Sequence, residues 1–169
     1  YAYGFDHFAK STDSVAKAGK EGNMVWNPLG VTPGRYEDII GVGVSGSSRL
    51  GPGYYAQNEY SIDRYKEKLD RNEFPAFRGC KLTKDDIIRR EVIHRLRNYF
   101  SVEFLGIEED FQINFRKYFQ HELAELVEFM NDGIVGIDPN AIRISEFGHQ
   151  FANVVCEVFD ARLAWSSLS

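Results

Sequence analysis

The chain has 169 residues, of which 43% are hydrophobic, and a formal net charge of -5. This length fits one domain, or one small domain with part of another, and is sufficient to bury a hydrophobic core. No stretch approaches the roughly 18 to 20 apolar residues that a membrane-spanning helix needs and no signal segment opens the chain, so we expect a soluble, cytoplasmic protein without a membrane partner.

The charge is distributed unevenly along the chain. Residues 1–60 carry five Lys or Arg against six Asp or Glu, residues 61–100 carry eleven against seven, and residues 101–169 carry four against twelve. The basic middle could face an anionic ligand or a neighbouring acidic domain. The acidic end argues against a nucleic-acid partner, because binding to nucleic acid depends on cationic side chains at the phosphates.

The first sixty residues are predicted to be rich in loops. Alternating aromatic and small residues in "YAYGFDHFA" predict an opening strand, and the lack of a cap or turn before it indicates a chain that begins within a larger protein. Asp13 and the two residues before it can cap a short helix over about 13–20. Glycines and prolines over 28–34 then mark turns.

A glycine-rich loop follows a predicted short buried strand over 38–44. The stretch "GVGVSGSSRLGPG" at 41–53 holds five of the 15 glycines of the chain. Such a loop could cradle a phosphate or a cofactor, or it could be a flexible turn. It has neither the lysine of a P-loop nor a G-x-G-x-x-G pattern, which argues against a phosphate or dinucleotide site.

Helices are predicted to dominate beyond residue 60. Apolar residues at helical spacing predict helices over 61–72 and over 84–100, the second capped by Thr83. A further helix over about 115–130 should stop at Gly133, before a small hairpin and a last helix over about 146–164. This order is similar to a winged helix, a module that often binds DNA through a basic helix, but the acidic candidate helix favours packing between domains.

The two cysteines of the chain, Cys80 and Cys156, match neither a disulfide framework nor a metal-binding spacing. We expect both to be buried thiols, because free cysteine is among the most buried residue types. The predicted elements together define an α+β chain.

Several strings resemble one family in order and in spacing. These are "GFDHFA", "DIIGVGVSGSS", "YAQN", "FRGCKLTKDDIIRREVI", "DGIVGID" and "VCEVFDARL". From about Gly4 to Leu163 the chain resembles the last part of the HemN-type oxygen-independent coproporphyrinogen III oxidases. The resemblance implies that residues 1–60 are the strand-and-loop end of a radical S-adenosylmethionine (SAM) catalytic domain. It implies that residues 61–169 are the mostly helical C-terminal domain with a small winged-helix-like hairpin.

Members of that family hold a [4Fe-4S] cluster on three closely spaced cysteines, cleave SAM and convert propionates of a tetrapyrrole to vinyl groups. Such a cluster needs thiolate ligands, and this chain has two cysteines, 76 residues apart. The resemblance therefore implies that the cluster and SAM belong to the intact parent and that its own N-terminal radical SAM domain is a partner. We expect no bound cofactor and no activity from this chain alone.

Candidate site residues follow from the same resemblance. It places cofactor-binding positions at Leu29, Gly41, Val42, Gly43, Ser45 and Ser47. It gives Asp6, His7, Arg78, Arg89 and Arg90 as candidates for binding the substrate. Asp6 and His7 could equally be a structural pair at a strand end, and the arginines could form salt bridges between domains.

Two of these positions differ from the family. Leu29 stands where the family has a glutamine, and Ser47 stands where it has an isoleucine; both family residues help to hold a second SAM. A leucine cannot supply the hydrogen bonds of an amide. Relatives of the family include a haem-binding chaperone and radical SAM methyltransferases that act on haem, so these functions remain alternatives to the oxidase.

Overall fold

A computed structural model describes residues 2–3, 7–27, 30–34 and 38–163. The helices are α1 (Ser14–Lys20), α2 (Ile62–Asp70), α3 (Lys84–Tyr99), α4 (Phe104–Phe111), α5 (Phe115–Tyr118), α6 (Gln120–Asn131) and α7 (Ala152–Glu157), with a 3-10 helix at Phe147–Phe151. The strands are β1 (Ala2–Tyr3), β2 (His7–Phe8), β3 (Met24–Asn27), β4 (Gly30–Pro33), β5 (Ser47–Leu50), β6 (Tyr54–Asn58), β7 (Ala76–Lys81), β8 (Ser101–Glu103), β9 (Val135–Ile137) and β10 (Ala141–Ile144). The predicted α+β class is confirmed.

The strands pair antiparallel in four small sheets. Two are hairpins, β1 with β2 and β3 with β4, and two have three strands, in the orders β5-β6-β7 and β8-β10-β9. The predicted hairpin after Gly133 is present as β9 and β10, and β8 adds a third strand to it. The winged-helix assignment stays a prediction.

Contacts divide the chain into two compact units, residues 1–34 with 88–169 and residues 35–87. We call the first the helical unit and the second the sheet unit, after β5, β6 and β7. The predicted boundary near residue 60 falls within the sheet unit, and the assignment of residues 1–60 and 61–169 to two domains stays a prediction.

The helical unit contains the hydrophobic core. Its largest fully buried side chains come from the segment between the start of α3 and the turn after α7: Phe115, Phe119, Phe159, Ile88, Leu96, Ile107, Leu126 and Ile142. In the sheet unit, by contrast, no hydrophobic side chain among residues 38–87 is buried. The free energy of apolar burial is therefore concentrated in the helical unit.

Three local predictions differ from the structure. Residues 38–44 form no strand, and Ile39 makes only an isolated bridge to Arg49. The predicted helix over 115–130 is interrupted at Phe119, which lies outside α-helical geometry with ψ 29°. The last predicted helix, over 146–164, is a 3-10 turn followed by the six residues of α7.

Caps explain why the other helix starts were predicted well. The Asp13 side chain accepts a hydrogen bond from the Val15 amide, and the Ser61 side chain accepts one from the Arg64 amide. Both occupy amide groups that have no partner within the helix. Within the described ranges, no helix is long and apolar enough to cross a membrane.

Candidate functional site

The glycine-rich loop is closed by hydrogen bonds from its neighbours in the sheet unit. The Asn58 side chain donates to the carbonyls of Gly41 and Gly43, at 3.1 and 2.9 Å. The backbone amide of Asn58 donates to the Gly46 carbonyl at 2.9 Å. One asparagine at the end of β6 therefore holds three backbone carbonyl groups of the loop in place.

The loop amides are also used within the unit. The Gly41 amide donates to the Ser48 hydroxyl at 3.0 Å, and the Gly43 amide donates to the Tyr65 hydroxyl at 3.2 Å. The amides of Ser45 and Gly46 donate to the carbonyls of Glu59 and Gly43. Since an anion cradle needs amides that point at the ligand, this geometry is a closed turn rather than a phosphate site.

An open, mostly apolar cavity of about 680 Å³ lies beside the loop. Its lining comes from the loop, from the sheet, from α2 and from the segment after α2, and it includes Ile40, Gly41, Val42, Ala56, Tyr65, Leu69 and Phe74. Val42 and Phe74 are 86% and 93% exposed. Two of the predicted cofactor-binding residues, Gly41 and Val42, thus border an apolar surface.

The other face of the sheet carries a polar row. Ser47 pairs with Gln57, and Gln57 pairs with Arg78. Residues paired across antiparallel strands carry their side chains on the same face. The structure therefore brings Ser47, predicted to bind a cofactor, and Arg78, predicted to bind the substrate, into one row with Gln57 between them.

Cys80 lies on the same face of β7 as Arg78, since side chains alternate along a strand. It is exposed, which corrects the prediction that both thiols are buried. β7 has all six of its residues exposed, so it offers no burial to a thiol. Cys156 is buried in α7, and desolvation raises the pKa of its thiol to about 12.

The two thiols should therefore react at very different rates. We expect one thiol of the folded chain to react quickly with a disulfide reagent at pH 8, because the thiolate is the reactive form and Cys156 is both buried and protonated there. The substitution C80S should remove the fast phase, and denaturant should expose both thiols. Two fast thiols in the folded chain would contradict this assignment.

The remaining predicted residues lie elsewhere. Arg89 belongs to the helical unit, where its Nη1 lies 2.6 Å from Glu122 Oε1 and 3.3 Å from the Phe159 carbonyl oxygen. Arg90 is the next residue of α3 and is half-buried. The backbone of His7 pairs with Tyr3 in the opening hairpin.

Asp6 and Leu29, also predicted as site residues, lie outside the described residues. Their proposed roles stay predictions.

Three residues that each make two or more hydrogen bonds around the loop and the row had no predicted role: Gln57, Asn58 and Tyr60. Two of them belong to the string "YAQN", which contributed to the family resemblance. Their placement depends on the pairing of β5, β6 and β7, which the sequence pattern did not predict.

The donor set of the described region does not fit a metal ion. Among residues 2–3, 7–27, 30–34 and 38–163, no group of three His, Cys, Asp or Glu side chains is arranged to hold one. The two cysteines of the chain are one fewer than the three thiolates of the predicted cluster.

Comparison with solved structures identifies the class of enzyme to which this fold is related. The fold is similar to that of an Escherichia coli enzyme described as a radical SAM enzyme, coproporphyrinogen III oxidase (HemN). The TM-score is 0.89 at 34% sequence identity, over 94% of this chain and 36% of that one. No family model matches the sequence.

Comparison with curated sequences narrows the class to one kind of enzyme. Oxygen-independent coproporphyrinogen III oxidases of Salmonella typhimurium and Pseudomonas aeruginosa are both 36% identical to the chain, over 95% and 96% of it and 35% of their own length. The oxidase of Thermostichus vulcanus is 31% identical over 99% of this chain and 52% of its own length. The chain is thus a relative of the HemN-type oxygen-independent coproporphyrinogen III oxidases and spans about a third of the length of the first two.

Proposed function

We propose that the chain forms part of an oxygen-independent coproporphyrinogen III oxidase, which oxidatively decarboxylates two propionates of a tetrapyrrole to vinyl groups. The observation that carries this proposal is the relationship itself, which extends over 95% of the chain at 36% identity. The fold similarity supports it over nearly the same range. The role assigned to this chain is to supply part of the substrate site.

The radical chemistry is assigned to a separate N-terminal domain of the intact enzyme. When bound there, the iron-sulfur cluster would supply the electron that cleaves SAM. The residues of this chain do not fit the cluster, since Cys80 lies on an exposed strand of one unit and Cys156 is buried in the other. We therefore assign no step of the radical chemistry to these 169 residues.

The complete enzyme that carries this chain provides the test. Purified anaerobically with a reconstituted cluster, a reductant and SAM, it should convert coproporphyrinogen III to a product with two vinyl groups, with loss of two molecules of carbon dioxide. The isolated chain should cleave no SAM under the same conditions. A complete protein that cleaves SAM but leaves every propionate intact would contradict the proposal.

The replaced positions favour two alternative functions, both of which involve haem. Because Leu29 and Ser47 lack the family's side chains for a second SAM, the parent could instead be a haem-binding chaperone or a haem-acting methyltransferase. Titration of the complete protein with haem, followed by its Soret absorption, separates the cases. Tight haem binding without decarboxylation would favour the alternative over the oxidase.

A further inference from the structure

The polar row on β5, β6 and β7 holds one arginine in a fixed orientation. The Nε and Nη2 atoms of Arg78 donate to Gln57 Oε1 at 3.1 and 2.9 Å. Nη2 also donates to the Tyr60 hydroxyl at 3.0 Å. The guanidinium carbon lies 5.9 Å from the centroid of the Tyr60 ring, within the range of a cation-π contact.

The two partners of Arg78 are themselves held in place. The Tyr60 hydroxyl donates to Gln57 Oε1 at 2.6 Å, and the Gln57 amide nitrogen donates to the Ser45 carbonyl at 3.3 Å. Since this amide has donors facing its oxygen and an acceptor facing its nitrogen, its orientation is determined. The Phe77 ring packs edge-on against Tyr60, with centroids 5.6 Å apart.

The charge of Arg78 is not neutralised by this arrangement. Gln57 and Tyr60 are neutral, and within the described residues no carboxylate pairs with Arg78. Two other cations of the sheet unit do have acidic partners: Lys68 pairs with Glu59, and Arg71 pairs with Glu67. Arg78 is thus an exposed cation without a carboxylate partner among the described residues.

The hydrogen bonds also show which part of the guanidinium remains available. An arginine has five N–H groups, and three of them are used by Gln57 and Tyr60. The two on Nη1 make no hydrogen bond within the described residues. A carboxylate can bind there through charge-assisted hydrogen bonds. The loop amides of Gly41, Gly43, Ser45 and Gly46, which a phosphate cradle would use, are already occupied.

We propose that Arg78 binds a carboxylate, and that Gln57 and Tyr60 are positioning residues that orient its guanidinium for it. The identity of the ligand, but not the existence of the site, rests on the proposed function. Two carboxylates are available in that reaction, a propionate of the tetrapyrrole and the α-carboxylate of SAM. Either source would present a single carboxylate to Nη1 of Arg78.

The first experiment tests the site on this chain without any turnover. In nitrogen-proton correlation spectra, the Arg78 Nε–H signal, identified by its loss in R78K, should shift on addition of sodium propionate. It should not shift with sodium chloride at the same ionic strength. In Q57E the shift should disappear, because the new carboxylate neutralises the charge of the guanidinium while keeping the size of the side chain.

The second experiment measures kinetics in the complete enzyme. R78Q should raise the KM of one ligand about tenfold, as expected for the loss of a hydrogen bond to a charged group, with kcat changed less than twofold. Q57L should raise the same KM by about fivefold, less than R78Q, because the guanidinium loses the two hydrogen bonds that orient it but keeps its charge. The KM that rises, for coproporphyrinogen III or for SAM, identifies the source of the carboxylate.

Lys81 provides the matched control. It is an exposed cation on the same strand but on the opposite face, with its Nζ over the Tyr54 ring, so K81Q should leave both KM values unchanged. A propionate shift that chloride reproduces, or equal effects of R78Q and K81Q, would overturn the carboxylate site. If the complete protein proves not to be an oxidase, the spectra on the chain still decide the site by themselves.

Discussion

The substitution E122L is expected to lower the free energy of unfolding of this chain by about 3 to 5 kcal/mol, the range for breaking a buried ion pair. Glu122 and Arg89 have only 10% and 17% of their side chains exposed and approach to 2.6 Å. The Arg89 guanidinium also lies over the Phe119 ring, 5.5 Å from its centroid. Removing the carboxylate alone would leave a positive charge in this apolar setting. Urea unfolding followed by circular dichroism measures the loss.

Two further variants separate charge burial from simple loss of contacts. The double variant R89M/E122L should be much less destabilised than E122L, since both charges of the pair are then removed together. E125Q on the same helix should change stability by no more than about 0.5 kcal/mol, because Glu125 and its partner His121 are 50% and 81% exposed. Equal losses in the single and double variants would contradict a buried ion pair. A raised KM without lost stability in R89M would instead favour the predicted contact of Arg89 with substrate.

The sequence predicts helices well where a cap and an apolar face coincide. α1, α2 and α3 begin within about one residue of the expected positions, after Asp13, Ser61 and Thr83. The interruption at Phe119 could not be predicted, because its cause is tertiary. Phe119 is fully buried and contacts the rings of Phe115, Tyr118 and Phe159, and apolar spacing alone continues smoothly through it.

The sheet unit was predicted least well for a related reason. Strands are recognised in a sequence from alternating apolar and polar residues. This signal fails here, because β7 is exposed along its whole length and the mostly apolar residues 38–44 form no strand. The row of Ser47, Gln57 and Arg78 joins residues that are ten and 21 positions apart. Its existence depends on register, which is set by the turns and by the closed loop rather than by local composition.

The substitution G41A is expected to disrupt that closed loop and to lower stability by about 1 to 3 kcal/mol, the usual cost of forcing extra atoms into a packed site. A Cβ on residue 41 would lie 2.4 Å from the Ser47 amide nitrogen and 2.5 Å from the Ser47 carbonyl oxygen. Both atoms belong to the backbone, so no side chain can rotate away. Hydrogen exchange of peptides covering residues 41–58 should become faster, because the Asn58 bonds to Gly41 and Gly43 would be strained.

The adjacent substitution V42A is the control for this prediction. Because Val42 is 86% exposed, its truncation should change the free energy of unfolding by no more than about 0.5 kcal/mol. Because Ser47 begins the strand that pairs with Gln57, displacing Ser47 should also displace the row that contains Arg78. We therefore expect G41A to weaken the propionate shift of the Arg78 signal, although residue 41 donates nothing to the ligand. If G41A instead left both the hydrogen exchange and the Arg78 signal unchanged, the glycine would not be required for loop closure. The predicted cofactor contact would then be the remaining reason for a glycine at position 41.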